Sequence, residues 1–262
     1  WKIPGMDKDQ LRLALSRSWR APELSSLDAG RVYALDNSFS TPDSSGNPRL
    51  KPELAWGLDA AYEHYLNGGG MLVGRLFAKR VDDSMVTSRM IDAGRWIEKP
   101  INAGRASISG LELEARFKLA QLLDKAPPLS LRASANWYQS RVDAIPGPDN
   151  RVGSQNPFSM NLGLDYVFAN GSLSAGGNFG FVRRGWVRVS QDESVFAANQ
   201  RTLELYGLYK LDQSAQLRLV ASNLYRDHDR TIHRIANGDL AQSRDTALRT
   251  YRLIRAVAEL KF

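Results

Sequence analysis

Ten stretches of this chain alternate apolar and polar side chains residue by residue, the two-residue period of a β-strand with one wet and one apolar face. The last of them, residues 251–262, shows the pattern plainly. Counting back in twos from Phe262 gives Leu260, Ala258, Ala256 and Ile254, with Lys261, Glu259 and Arg255 between them and Val257 and Leu253 as exceptions. A membrane-spanning strand needs roughly 9–11 residues, and this one has them. No run approaches the roughly 18 apolar residues of a membrane helix, so a helical span is excluded. A β-barrel is not, because alternation hides its hydrophobicity from an average such as the mean hydropathy of −0.37.

In chain order, residues 11–19 alternate and Arg20-Ala-Pro-Glu-Leu24 ends them, before a polar stretch to about Pro52. Residues 53–66 put Leu54, Trp56, Leu58, Ala60, Tyr62 and Leu66 on one face, and Asn67-Gly-Gly-Gly70 turns the chain, as Asn-Gly does in hairpins. Residues 71–86 read as a third strand whose facing stays open, since both parities are apolar. Residues 104–119 oppose Leu111, Leu113, Ala115, Phe117 and Leu119 to Glu112, Glu114, Arg116 and Lys118. A phase slip at Gly110 predicts a β-bulge there.

A helical turn could occupy 120–128, ahead of strands over 129–138, 158–168, 173–181, 203–211 and 216–224. Asn170-Gly171 and Asp212-Gln-Ser-Ala215 turn two of them, and a long loop with Asn237-Gly238 precedes the last strand. The connections alternate long and short throughout. That is the habit of an antiparallel up-and-down transmembrane β-barrel, and a soluble sandwich has no reason for it. With the long loops outside, Trp19, Trp56, Trp137 and Trp186 fall near outer strand ends, and Phe117, Tyr166, Phe168, Tyr209 and Phe262 near inner ones. Two aromatic girdles are what the two interfaces of a bilayer select.

These residues carry a resemblance. Ser16-Arg-Ser-Trp-Arg-Ala-Pro-Glu-Leu24 resembles the S-x-[FW]-R-A-P-x-L segment of the TonB-dependent outer-membrane receptors, and Asn47-Pro-Arg-Leu-Lys-Pro-Glu53 resembles their N-P-x-L-K-P-E. Gly57-x-Asp59 with Tyr62-Glu63, Val81-Asp-Asp83, Asn102-Ala-Gly-Arg-Ala106 before Gly110-Leu-Glu-Leu-Glu114, Ala221-Ser-Asn-Leu224 and the terminal Phe262 continue it in order. The resemblance implies a 22-stranded barrel occluded by an N-terminal plug, in the outer membrane of a Gram-negative bacterium. Such a receptor imports a scarce ligand, a ferric siderophore or similar chelate, with energy from the TonB complex. The chain opens on Trp1-Lys-Ile-Pro-Gly5 and holds about ten strands, so residues 1–262 are expected to be the C-terminal portion of such a barrel, with the plug and earlier strands absent. A self-contained small barrel, enzyme or passive channel, is the alternative.

Cysteine is absent and the net charge is +7, which suits anionic partners. Nothing resembles a nucleic-acid-binding signature, so no nucleic-acid partner is expected. His64, His228 and His233 lack the spacing of a catalytic or metal site, and no catalysis, cofactor or metal is expected. Ligand contact is expected from Glu112, Arg132, Asn136, Tyr138 and Asn161 on the wet parity. It is also expected at or above the outer rim from Trp96, Arg141, Arg183, Arg184, Trp186 and Arg188, because guanidinium forks pair with carboxylate or phosphate. Membrane lipid and lipopolysaccharide are the expected surroundings. The strand ending at Phe262 is the expected contact for the outer-membrane assembly machinery.

Overall fold

A computed structural model describes residues 5–153, 155–169, 171–238 and 240–260, the Leu240 side chain excepted. Ten strands form one antiparallel sheet: β1 (Asp9–Arg20), β2 (Glu53–Tyr65), β3 (Met71–Asp82), β4 (Ala106–Lys118), β5 (Leu129–Val142), β6 (Phe158–Val167), β7 (Leu173–Arg183), β8 (Gln200–Lys210), β9 (Ala215–Ser222) and β10 (Leu253–Leu260). Each pairs with the next in sequence and no connection crosses another, so the sheet is an open meander. Its two outermost strands, β1 and β10, do not meet.

Register fixes which side chains share a face. Leu15 lies opposite Leu58, Leu58 opposite Ala78, Leu76 opposite Leu111, Leu111 opposite Trp137 and Trp137 opposite Phe158. The same face continues through Phe179 opposite Leu203, Leu205 opposite Ala221 and Leu219 opposite Ala256. This apolar face is uncovered, with Leu13 at 70%, Leu15 at 73% and Ile254 at 72% exposure. Water cannot be the solvent that stabilises so large an apolar surface.

Several expectations change. The stretch 71–86 is one strand only to Asp82: Asp83 takes a left-handed backbone (φ 56) and a separate strand begins at Met85. Pairing with β2 settles its facing. Leu72, Gly74, Leu76 and Ala78 join the apolar face, and Val73, Arg75, Phe77 and Lys79 the other. No bulge interrupts Gly110, since the register from Met71↔Arg116 to Val81↔Ala106 is unbroken. Ala106 and Ile108 are apolar on the polar face because the polar face is dry at that end. Ala106, Val142 and Ile145 form a buried cluster there, packed against Val81, Val86 and Val152. The helical turn is a short 3-10 segment, Leu119–Gln121.

The long connections are themselves folded. The first two supply a four-stranded sheet of Arg31–Val32, Asp43–Ser45, Arg95–Asn102 and Met85–Asp92. The fourth and fifth supply another, of Gly185–Arg188, Glu193–Ala197, Asp229–Asn237 and Leu240–Leu248. Trp186 belongs to this second sheet, its ring tilted against that of Phe196 with centroids 5.4 Å apart, and so stands beyond the end of β7 rather than in a girdle. Asn237-Gly238 lies at the turn of its last hairpin. Phe262 and Asn170 lie outside the described residues.

Candidate functional site

On the polar face, charges alternate in sign from strand to strand. Asp59 of β2 binds Arg75 of β3, whose other nitrogen reaches Glu112 of β4 at 3.1 Å, and Glu112 accepts the Tyr138 hydroxyl of β5 at 2.8 Å. Farther along, Arg132 meets Asp165 at 2.5 Å, Asp165 accepts the Tyr206 hydroxyl, and Arg218 sits 5.1 Å from the Tyr206 ring centroid. Glu112, Arg132 and Tyr138 thus share the polar face, and each is already engaged, Glu112 with Arg75 and Tyr138 and Arg132 with Asp165. Asn136 reaches Ser159 at 3.2 Å, and Asn161 is exposed. Asp59, Arg75, Asp165 and Tyr206 complete the belt. Their parity alone could have marked them.

At the end carrying the long connections, the residues of the family-like segments converge. Glu53 pairs with Arg20 at 2.9 Å and accepts the Met85 amide at 2.7 Å. Asn102 exchanges two bonds with the Lys51 backbone, at 2.8 and 3.0 Å, and Asn47 donates to the Pro100 carbonyl at 3.0 Å. These segments therefore fasten the first two long connections to the strand ends. Beside them lies a cavity of about 570 Å³, bordered by Arg20, Glu53, Lys79, Val142, Ile145 and Arg151. Arg151 spends its fork on the Gln155, Trp186 and Arg184 carbonyls at 3.1, 2.6 and 3.4 Å, and burial pushes its guanidinium below the usual arginine range. No sequence pattern singles it out.

The sheet formed by the first two connections is held by Asp43, which has no exposed side-chain surface. It accepts from Arg95 at 2.8 Å, Arg31 at 3.0 Å, Asn37 at 2.9 Å and the Ala34 amide at 2.9 Å. The Arg95 bonds foremost hold its carboxyl well below the usual carboxylate range. Trp96 is anchored in the same place, its amide on Asn37 at 2.8 Å and its ring edge-on to Phe39 at 4.9 Å. Arg89 links the two outer sheets, bonding Glu98 at 2.7 Å in its own and Glu193 at 2.9 Å in the other. His233 lies 3.6 Å from Glu193.

The remaining rim arginines separate into two groups. Arg184 binds Gln200 at 2.8 Å and lies 3.5 Å from Asp229, and Arg188 binds the Gln191 carbonyl at 2.8 Å with a buried Nε left over. Both border the outer sheets. Arg141 and Arg183 instead take the parity of Trp137 and Phe158, the apolar face. Trp19, Trp56 and Trp137 lie toward its outer end, and Phe117, Tyr166, Phe168 and Tyr209 toward its inner end, with Tyr166 edge-on to Phe168 at 4.9 Å. Among the described residues, no group of three or more histidines, aspartates or glutamates is arranged to hold a metal ion.

A meander of 8- to 14-residue strands, apolar and uncovered on one side and charged on the other, with folded long connections at one end, is the wall of a membrane β-barrel. The chain belongs to the TonB-dependent receptor β-barrel family, whose model, described as "TonB dependent receptor-like, beta-barrel", matches residues 3–224. Among solved structures it is similar to the ferric enterobactin receptor PfeA of Pseudomonas aeruginosa in complex with enterobactin, with 16% identity and a TM-score of 0.65 over 85% of this chain and 34% of that one. The copper transporter OprC shares 20% identity, with a TM-score of 0.61 over 86% of this chain and 32% of that one. The siderophore receptor PirA of Acinetobacter baumannii shares 15%, with a TM-score of 0.59 over 84% and 35%. At these identities the likeness is one of fold. The chain spans about a third of the length of these proteins, and no curated protein sequence matches it.

Proposed function

We propose that residues 1–262 are the C-terminal part of the barrel of an outer-membrane receptor of a Gram-negative bacterium. The intact receptor takes up a scarce ligand, a ferric siderophore or a similar metal chelate, and acts as a transporter rather than an enzyme. The observation that carries this reading is the family match over residues 3–224. The receptors named above, for ferric enterobactin, for copper and for a siderophore, support the substrate class. In this reading the charged face lines the lumen and the long connections are extracellular. The cavity beside Arg20, Lys79 and Arg151 then lies at the outer mouth, where three cations against the one carboxylate of Glu53 give a net positive lining suited to an acidic chelate. Asn161, Arg184 and Arg188 keep donors for such a ligand, while Glu112, Arg132, Asn136 and Tyr138 shape the wall below it. Trp96 and Trp186 support the loops that frame the mouth. TonB acts through a plug that precedes this stretch, and the assembly machinery through the last strand.

The test is to read the coding sequence upstream of Trp1. Further alternating strands, a plug and a signal peptide are expected, together with loss of uptake when TonB is deleted. A start codon and signal peptide immediately upstream of Trp1 would overturn the reading.

A further inference from the structure

The second outer sheet is the wall carried upward. Its strands Gly185–Arg188, Glu193–Ala197, Asp229–Asn237 and Leu240–Leu248 stand in the same order as β7, β8, β9 and β10, whose chain they continue. Register carries over too. Val182 lies opposite Gln200 in the wall, and Gly185, three residues on, lies opposite Ala197, three residues back. From Ala221↔Leu205 to Thr231↔Ala197 one strand advances ten residues (221 to 231) and the other eight (205 to 197). From Ser222↔Leu253 to Asp229↔Leu248 the advances are seven (222 to 229) and five (253 to 248). The surplus of two is the same on both sides because it sits in one shared segment, 223–228, where Asn223 and Arg226 take left-handed backbones (φ 55 and 56). Hydrogen bonds cross the junction: the Asn223 side-chain amide donates to the Tyr251 carbonyl at 2.8 Å, the Leu224 amide to the Leu203 carbonyl at 3.1 Å and the Arg201 amide to Asp227 at 2.7 Å.

The two edges of this sheet differ. At Gly185–Arg188 the Arg188 amide is taken by the Asp149 carbonyl of the third long connection, at 2.8 Å. Along Leu240–Leu248 no described strand lies beyond, and residues 241–248 are all exposed. The Ala198 amide donates to the Arg230 carbonyl and the Ala236 amide to the Asp192 carbonyl, both at 2.9 Å. Even-numbered residues of Asp229–Asn237 therefore turn their backbone groups toward Glu193–Ala197 and odd-numbered ones toward Leu240–Leu248. Through the register this aims the backbone of Gln242, Arg244 and Thr246 into the sheet, and leaves that of Ala241, Ser243, Asp245 and Ala247 on the open edge. Edges are ordinarily blunted by proline, lysine, bulges, charge or a cover. Residues 241–248 hold no proline or lysine, their register is unbroken, and of their two charges Asp245 is already paired with Arg230 inside the sheet.

We propose that the Leu240–Leu248 edge is the docking surface for a strand of the intact receptor itself: the barrel strand that pairs with β10, continued above the membrane as the fifth strand of this outer sheet. β7, β8, β9 and β10 all run on in this way, so a strand hydrogen-bonded to β10 is carried by the same register past residues 249–252 and onto the open edge. Ala241, Ser243, Asp245 and Ala247 then exchange backbone hydrogen bonds with it. Following β10 and this edge takes roughly 20 residues, about twice the 9–11 of a membrane-spanning strand. The pairing rests on the barrel reading proposed above and goes beyond closure of the wall within the membrane. It fences the mouth on this side to the full height of the outer sheet.

The test is residue-resolved amide hydrogen exchange on the intact receptor in lipid nanodiscs. Corrected for intrinsic rate, Ala241, Ser243, Asp245 and Ala247 are expected to be protected to within about tenfold of Gln242, Arg244 and Thr246. An open edge gives alternation instead, the four odd-numbered amides exchanging on the order of a hundredfold faster than the even-numbered ones, and that pattern would overturn the proposal. The outward amides of β10 are the control. The Leu211 amide on the Ala215 carbonyl at 3.0 Å sets the backbone direction of β9, and the register then puts Ile254, Ala256 and Ala258 on the outer side of β10. Protection of these three beside alternation in the upper four leaves the wall closed and removes only the fifth outer strand. Fast exchange in both sets defeats the barrel reading itself. Protection of the upper four that appears only at high receptor concentration, or only on adding an external polypeptide, would assign the edge to a second copy or to a foreign strand and would overturn the proposal as well.

Discussion

Ile145 is the residue on which the third long connection depends. It is 4% exposed and closes a cluster with Ala106 and Val142 that Val81, Val86 and Val152 complete. Cutting a buried isoleucine to alanine removes several methyl and methylene groups and leaves a hole that neighbours fill only in part, a loss of about 2–5 kcal/mol. The cluster lies at a rim where loop atoms can settle inward, so Ile145→Ala belongs at the low end, about 2–3 kcal/mol. If the connection opens as a local unit, protection of its amides falls by the same free energy, roughly 30- to 160-fold. The reporters are the Val142 amide on the Asn150 carbonyl at 2.8 Å and the Val152 amide on the Ser140 hydroxyl at 3.0 Å. Hydrogen exchange on the protein in lipid, with β6 to β9 as internal reference, measures it directly. Protection within threefold of wild type would show that the hydrogen bonds hold this connection without the apolar cluster, and the reasoning would be wrong.

Three further outcomes are expected. Asp43 is depressed below its ordinary value of 3.8; a lowered carboxyl contributes stability that is full above the unfolded value and lost as pH falls toward the folded one. Exchange protection of the Ala34 and Trp96 amides, corrected for intrinsic rate, should therefore be flat from pH 7 to 5, and a decline within that window would contradict the assignment. Gly110→Ala places a Cβ 2.5 Å from the Tyr138 ring and 2.8 Å from the Phe77 ring, whereas Gly207→Ala meets nothing within 4 Å; the first should cost about 1–3 kcal/mol and the second nearly nothing. Denaturant midpoints followed by gel mobility compare the two, and equal midpoints would refute the steric account. Glu193→Gln weakens the bond to Arg89 that joins the outer sheets; faster exchange is expected in Asp229–Asn237 and none in Met85–Asp92, which keeps Glu98.

The wall was legible because its period of two and its turn residues are local signals. Asn67-Gly-Gly-Gly70 and Asp212 mark turns whether or not the rest of the chain is known, and Asp212 accepts the Ser214 and Ala215 amides at 2.7 and 2.9 Å. Parity was ambiguous where a second layer dries the polar face. Ala106 and Ile108 read as a slip because nothing nearby in sequence announces that Ile145 will pack there. The outer sheets stayed hidden for a related reason: Asp43 pairs with Ile97 and Glu193 with Ile235, partners far off in the chain whose short strands have no long alternation of their own. Of the candidate contacts, Glu112, Arg132, Asn136, Tyr138 and Asn161 share the polar face, as their parity predicts. Arg141 and Arg183 could be sorted from Arg184 and Arg188 only once the register showed where each strand ends.

Two tyrosines give the wall its inner texture. Tyr138 stands opposite Gly110 and Tyr206 opposite Gly176, and each ring lies where a Cβ on its glycine would strike it, at 2.5 and 2.6 Å. The glycine lets the ring lie down along the sheet instead of standing across the bore, and the hydroxyl is then consumed by Glu112 or Asp165. At these two places the surface is low in relief and its charged groups are already paired. Exchanging such paired groups between wall and water costs little net free energy, so a body filling the bore would rest against something closer to a wet bearing than to a lock.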